Sequence, residues 1–204
     1  MSGDLLTVIF DLGGVYFTDG TTKAINVISE KYSLDVHMVA NTFRGELGSS
    51  YREDKISSEI FWEIAKKSWK IENEPTCELA QIWLEGYVPL EENINIIMQL
   101  KKNGHEVLYL SGSARDRVEY LRKKYNFTQH FEGGIFSFAI GVRKPALLPY
   151  QCILKMASNI PQNCIYIDDK EKYLIPARRL GMKTILFASP KNLRCSLNKL
   201  GVNC

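Results

Sequence analysis

No run of 18 apolar residues occurs in this 204-residue chain, so nothing in it reads as a membrane-spanning helix. Cysteine is present without a pattern. Cys77, Cys152, Cys164, Cys195 and Cys204 include no C-x-x-C pair, and their number is odd. That argues against a thiolate metal cluster and against a disulfide framework, and predicts a reducing, cytoplasmic setting. Charge of one sign is also lacking: the net charge is +3, with lysines and arginines scattered rather than blocked. Runs such as Arg122-Lys123-Lys124 and Arg178-Arg179 read as solvated helix faces, so neither nucleic acid nor a membrane surface is an expected partner. The opening MSGDLLTVIFD carries an acid and passes straight into a strand pattern, unlike a secretory leader. Histidine is scarce, and His37, His105 and His130 stand apart from one another. Internal repeats and low-complexity segments are missing as well.

What is present is ordinary globular material, 45% hydrophobic and 24% charged, enough for one medium domain or a domain carrying a smaller insert. Residues 5–10 (LLTVIF) are too short for a helix and read as a buried strand, followed by a loop from Gly13 to Gly20. Helical spacing then prevails for about seventy residues. Four amphipathic segments follow, with Asp35 and Ser57 or Ser58 as N-caps and the stretch between the second and third read as polar loop. The tryptophans Trp62, Trp69 and Trp83 sit at core spacing within them; Tyr51 and Arg52, in the polar stretch, are predicted to face a substrate. From Leu90 a helix runs to Gly104, and strand–helix alternation begins: EVLYLS (106–111), a hairpin-like GGIFSFAIG (133–141), CIYID (164–168) and Lys183–Phe187. This predicts an α/β three-layer sandwich with a parallel, Rossmann-like sheet, made of residues 1–16 and 89–204, with an inserted helical bundle at 17–88.

Four of the apolar runs end in residues that phosphoryl chemistry uses. VIFD ends at Asp11, VLYLS at Ser111, GVRKP contains Lys144, and IYIDD ends in Asp168 and Asp169. Ligands of parallel sheets bind outside the carboxyl ends of the strands, where these side chains would meet. A buried carboxylate is costly unless paired, and two adjacent ones repel, for which Mg²⁺ is a fitting partner. Each residue also has a plain structural reading. Asp11 or the acidic pair could cap a turn or helix, Lys144 could be a surface lysine, and Ser111 a helix cap. Ser113 with Asp116 has the form of a capping box.

Asp11 in VIFDLGGV, Ser111 in LYLSGS, Lys144 in GVRKP and the IDD at 167–169 resemble, in order and spacing, the four motifs of the haloacid dehalogenase-like superfamily. The helical insert is similar to that superfamily's first-type cap. KISSEIFWEIA (55–65) resembles a cap segment of the subgroup with small sugar-phosphate phosphatases. The resemblance implies a Mg²⁺-dependent phosphomonoester hydrolase acting on a small phosphorylated metabolite, working as a monomer or homodimer. It implies Asp11 as nucleophile and a metal held by Asp11, the Gly13 carbonyl, Asp168 and Asp169. Ser111 and Lys144 would hold the transferring group, with Gly112 beside them, while Arg52 is expected at the substrate from its place in the polar stretch alone.

Gly13 stands where phosphatases of this superfamily usually carry a general-acid Asp, help worth roughly 10²–10⁴-fold. Asp19, in FTDG, is a nearby substitute. Gly112 replaces a common Asn, Ala146 an acid, and Tyr173 the Asn of the D-D-x-x-x-N form. These departures give a competing expectation: a slow or inactive relative that binds a phosphorylated ligand or a protein partner. A dehalogenase proper also lacks the second Asp but needs no acidic pair. A response-regulator receiver carries its acidic pair first in the chain rather than last.

Overall fold

The structure, a computed structural model, describes residues 5–203. Five parallel strands form one sheet: β1 (Thr7–Phe10), β2 (Glu106–Ser111), β3 (Gly133–Phe136), β4 (Cys164–Asp168) and β5 (Lys183–Leu186), in spatial order β3-β2-β1-β4-β5. The sheet grows outward from β1 in one direction through β2 and β3, then in the other through β4 and β5. β1 therefore lies at the point where the strand order reverses, which is where crevices open in such sheets.

β1, β2 and β4 are apolar on both faces, as strands covered by helices on both sides must be. Val8, Phe10, Val107, Ile165 and Ile167 pack toward α6 (Glu91–Lys102) and α11 (Pro190–Lys199), which supply Ile96, Ile97, Leu193 and Leu197. Ile9, Leu108, Leu110 and Tyr166 face the other way, against Tyr150 and Ile153 of α9 (Leu147–Met156) and Leu174 and Ala177 of α10 (Glu171–Arg179). The alternation along each strand separates the two layers. The expected α/β sandwich is what forms.

Between β1 and α6 run five helices rather than four: α1 (Gly20–Lys31), α2 (Val36–Arg44), α3 (Glu46–Arg52), α4 (Ser58–Trp69) and α5 (Thr76–Glu85). Asp35 and Ser57 cap α2 and α4 as expected, accepting from the amides of Met38 and Ile60. The helix missed in the sequence is α3, whose seven residues are too few to show a period. It packs closely because Gly48 has no side chain; a β carbon there would lie 2.0 Å from the Phe43 carbonyl oxygen. Trp62, Trp69 and Trp83 are buried among these helices, with Phe43 and Phe61 between them.

A second difference concerns residues 133–141. Gly133–Phe136 is not half of a hairpin but an edge strand, paired in parallel with β2, and Ser137–Ile140 turns into the short helix α8. The glycines that suggest a turn instead let the strand lie close to its neighbour. A β carbon on Gly134 would sit 2.3 Å from the Tyr109 ring.

Candidate active site

Strand register assembles the site. Phe10 lies beside Tyr109 and Ile167, and the Asp11 amide donates to the Ile167 carbonyl at 2.9 Å. Asp11 thus leaves β1 level with Asp168 at the end of β4, with Ser111 ending β2 on its other side. One carboxylate oxygen from each of Asp11, Asp168 and Asp169 falls within 4.8 Å of the others. Lys144 reaches in from the loop before α9 and is itself buried. Its ammonium lies 2.9 Å from Asp11 Oδ1 and 2.6 Å from Asp168 Oδ2, and donates to the Tyr166 hydroxyl at 2.7 Å. The surface-lysine reading of Lys144 does not survive this arrangement.

The electrostatics follow from the crowding. Burial pushes the Asp11 carboxyl up to about 7, a rise that Asp168 and Asp169 add to and Lys144 opposes. Burial likewise raises Asp169, partly offset by Lys170, whose ammonium lies 3.1 Å away. Burial works against the charge on Lys144, but Asp11 and Asp168 outweigh it and hold the ammonium far above the usual lysine range. Asp168 is fully engaged: its Oδ2 accepts from Lys144 and, at 2.5 Å, from Tyr166, while its Oδ1 accepts the Lys170 amide at 2.9 Å. Three carboxylates against two ammonium groups leave an excess of hard oxygen donors. That donor set suits Mg²⁺, which takes one or two carboxylates and keeps several waters. Gly13 borders the site, and its carbonyl accepts none of the main-chain hydrogen bonds among the described residues.

A cavity of about 170 Å³ opens over these residues, and Asp11, Gly13, Ser111, Gly112, Lys144 and Arg52 all line it. Two sequence expectations need correcting here. Ser113 does not cap α7 (Arg115–Tyr125): Ala114 occupies the N-cap position, and the Ser113 hydroxyl pairs with Ser111 Oγ at 2.9 Å. Asp116, its supposed partner, instead accepts from Ser58 and from the Tyr51 hydroxyl. Tyr51 is therefore buried against Phe61 rather than turned to the cavity; Arg52 alone of that pair lines it.

Asp19 does reach the cavity, but as the N-cap of α1, accepting from both the amide and the hydroxyl of Thr22. Burial would raise its carboxyl, yet those two hydrogen bonds, aided by Lys170 and Arg44, hold it below the usual range. An ionised cap is a poor proton donor, so the role of substitute general acid does not suit it.

Sequence reasoning missed several lining residues, among them Arg117, Arg143, Tyr87 and Lys170. Arg117 had a readable signal: it shares the buried face of α7 with Val118 and Leu121, an odd place for a cation. Gly14 was passed over in favour of Gly13, although its φ of +92° and its contact with Asp169 make it the more constrained glycine.

Known proteins resemble this chain in sequence and in fold. A haloacid dehalogenase-like hydrolase family profile matches residues 8–187. A sesquiterpene phosphatase of Aspergillus oryzae is 25% identical over 85% of both chains. A haloacid dehalogenase family enzyme of Bacteroides thetaiotaomicron, solved in complex with magnesium and inorganic phosphate, superposes with a TM-score of 0.72. It is 16% identical and covers 89% of this chain and 93% of its own. An L-2-haloacid dehalogenase of Xanthobacter autotrophicus, with chloropropionic acid covalently bound, gives a TM-score of 0.65 at 16% identity, covering 98% of this chain and 85% of its own. With the profile spanning nearly the whole parallel sheet, from β1 to just beyond β5, this chain belongs to the haloacid dehalogenase-like hydrolases.

Proposed function

We propose that the chain is a Mg²⁺-dependent phosphomonoesterase acting on a small phosphorylated metabolite, with Asp11 as nucleophile. One observation carries this reading: Asp11, which lines the cavity, converges with Asp168 and Asp169 within 4.8 Å, with Lys144 between the first two. A dehalogenase has no use for that acidic pair, whereas a dianionic phosphate approaching a carboxylate needs positive charge beside it.

In this reading an Asp11 oxygen attacks phosphorus in line with the ester bond. The P–O bond to the leaving group breaks, and an aspartyl phosphate forms. Water then attacks the same phosphorus, releases inorganic phosphate and restores the carboxylate. Lys144 orients Asp11 through its 2.9 Å contact, and the Ser111 hydroxyl is placed to donate to a phosphoryl oxygen. Asp11, Asp168, Asp169 and the Gly13 carbonyl would hold Mg²⁺, which when bound offsets the charge of the phosphoryl group. Without an acid at Gly13, the leaving oxygen takes its proton from water, so good leaving groups are favoured.

The five helices between β1 and α6 would cover the site and select the substrate. A sesquiterpene chain, the substrate class named for the Aspergillus relative, would meet no Leu, Ile, Val, Met or Phe side chain in the lining. A small polar phosphate ester suits it better.

The test is phosphate release from p-nitrophenyl phosphate and a panel of small phosphate esters, with and without Mg²⁺. Metal-dependent release that disappears in Asp11→Asn supports the reading. A flat panel combined with binding of a phosphorylated ligand would instead support a non-catalytic relative. Chloride release from 2-chloropropionate would make the chain a dehalogenase.

A further inference from the structure

The cavity holds far more positive charge than one phosphoryl group requires. Arg44, Arg52, Arg117, Arg143, Lys144, Lys170 and Lys172 line it, against the carboxylates of Asp11 and Asp19. Lys144 and Lys170 are spoken for by the acidic cluster. The arginines are not. Arg52 donates to the Phe43 carbonyl at 2.8 Å and pairs with no carboxylate among the described residues. Arg117, buried, spends its guanidinium on neutral groups, the Tyr87 hydroxyl at 2.5 Å and the Gly112 carbonyl at 3.0 Å, and lies over the Tyr87 and Trp83 rings. Among the described residues Arg143 has only Glu53 at 3.9 Å, a carboxylate that Lys55 holds at 2.8 Å.

Guanidinium groups drawn together in a partly desolvated cavity with little counter-charge repel one another and are costly. Burial brings Arg52 down to about 10, with Arg117 and Arg143 adding to the fall, the mark of three cations gathered in one place. Proteins keep such clusters where an anion completes them. Gly112 leaves room for one: a β carbon there would meet nothing within 4 Å, and its carbonyl is the group Arg117 holds. The open space lies directly after Ser111.

We infer that Arg52, Arg117 and Arg143 form a second anion subsite, and that the substrate is a small phosphate ester bearing a further phosphate or carboxylate. This deepens the phosphatase reading and rests on it, but the subsite itself is a matter of binding. The reacting phosphoryl group lies at Asp11, and the distal anion accepts from the arginines beyond Gly112.

Calorimetry on the Asp11→Asn protein with Mg²⁺ separates binding from turnover. The ligands are matched three-carbon compounds: propane-1,3-diol monophosphate, propane-1,3-diol bisphosphate and 3-phosphooxypropanoate. At least one doubly anionic ligand is expected to bind about tenfold or more tighter than the monophosphate, and whichever does identifies the distal group. In Arg52→Gln and Arg143→Gln, each added to Asp11→Asn, that ratio is expected to fall toward unity. Circular dichroism checks that these variants are folded. Equal binding of all three ligands, or a ratio unchanged in both arginine variants, overturns the subsite. Should wild-type protein hydrolyse none of the three while the binding ratio holds, the phosphatase reading fails and the subsite stands.

Discussion

Gly14 and Asp169 are in such close contact that a single added carbon would not fit: a β carbon on Gly14 would lie 2.6 Å from Asp169 Oδ2. The backbone there is also in the left-handed region, at φ +92°. Gly14→Ala therefore meets two penalties, a strained dihedral of about 1–3 kcal/mol and a displaced carboxylate. The expected result is a lower urea midpoint together with a weakened response to Mg²⁺. A variant as stable and as metal-responsive as the parent would show that Asp169 does not depend on this contact.

Gly13 is different, because its neighbourhood has room. A β carbon there would rest 3.5 Å from Tyr87 Cε1, an ordinary contact, and its φ is not left-handed. Gly13→Asp is thus expected to fold and to place a carboxyl beside the leaving group. Hydrolysis of alkyl phosphates should rise, by at most about 10²–10⁴-fold, while p-nitrophenyl phosphate, whose leaving group needs no proton, gains nothing. Equal change on both substrates would count against missing acid catalysis as the limiting feature.

The sheet and the polar residues gathered at its carboxyl end were legible because each strand is a short apolar run ending in a distinctive polar residue, as in VIFD and CIYID. Parallel pairing then forces those ends together. What escaped notice lies where the pattern is local or mixed. α3 is too short to show a period. Gly133–Gly134 has the look of a turn but serves close strand packing. Ser113 and Asp116 have the spacing of a cap, yet tertiary partners claim both side chains. The arginines of the cavity arrive from α2, α3, α7 and the loop before Lys144, and no single window of sequence shows that they meet.

His105 ties the start of β1 to that of β2, its Nδ1 accepting the Leu6 amide at 3.2 Å. Burial lowers its pKa, so the folded protein favours the neutral ring. The sign follows: the stability it contributes is complete above about pH 6.5 and is lost as pH falls through the depressed folded value. The urea midpoint should drop across that interval, and His105→Asn, which keeps an acceptor but cannot titrate, should flatten the drop. A slope unchanged in the variant would assign it to other groups.

Asp11 and Asp168 both touch Lys144, yet their replacement should have opposite consequences. Asp168 is fully buried and accepts from Lys144, Tyr166 and the Lys170 amide, so it holds the acidic cluster together. Asp168→Asn sets an amide donor against those donors and strips Lys144 of one of its two carboxylate partners. Breaking a buried pair of this kind costs about 3–5 kcal/mol. Asp11 has Lys144 as its side-chain partner, and burial beside two other carboxylates already disfavours its charge. Asp11→Asn should therefore leave stability within about 1 kcal/mol of the parent while abolishing phosphate release. Thermal unfolding with and without millimolar Mg²⁺ reads both effects, since a ligand of the folded state raises the transition by mass action. The parent should shift upward with metal, and Asp168→Asn should start lower and shift little. If instead Asp11→Asn proves the less stable of the two, Asp11 is a structural member of the ion-pair cluster, and its assignment as nucleophile loses its footing.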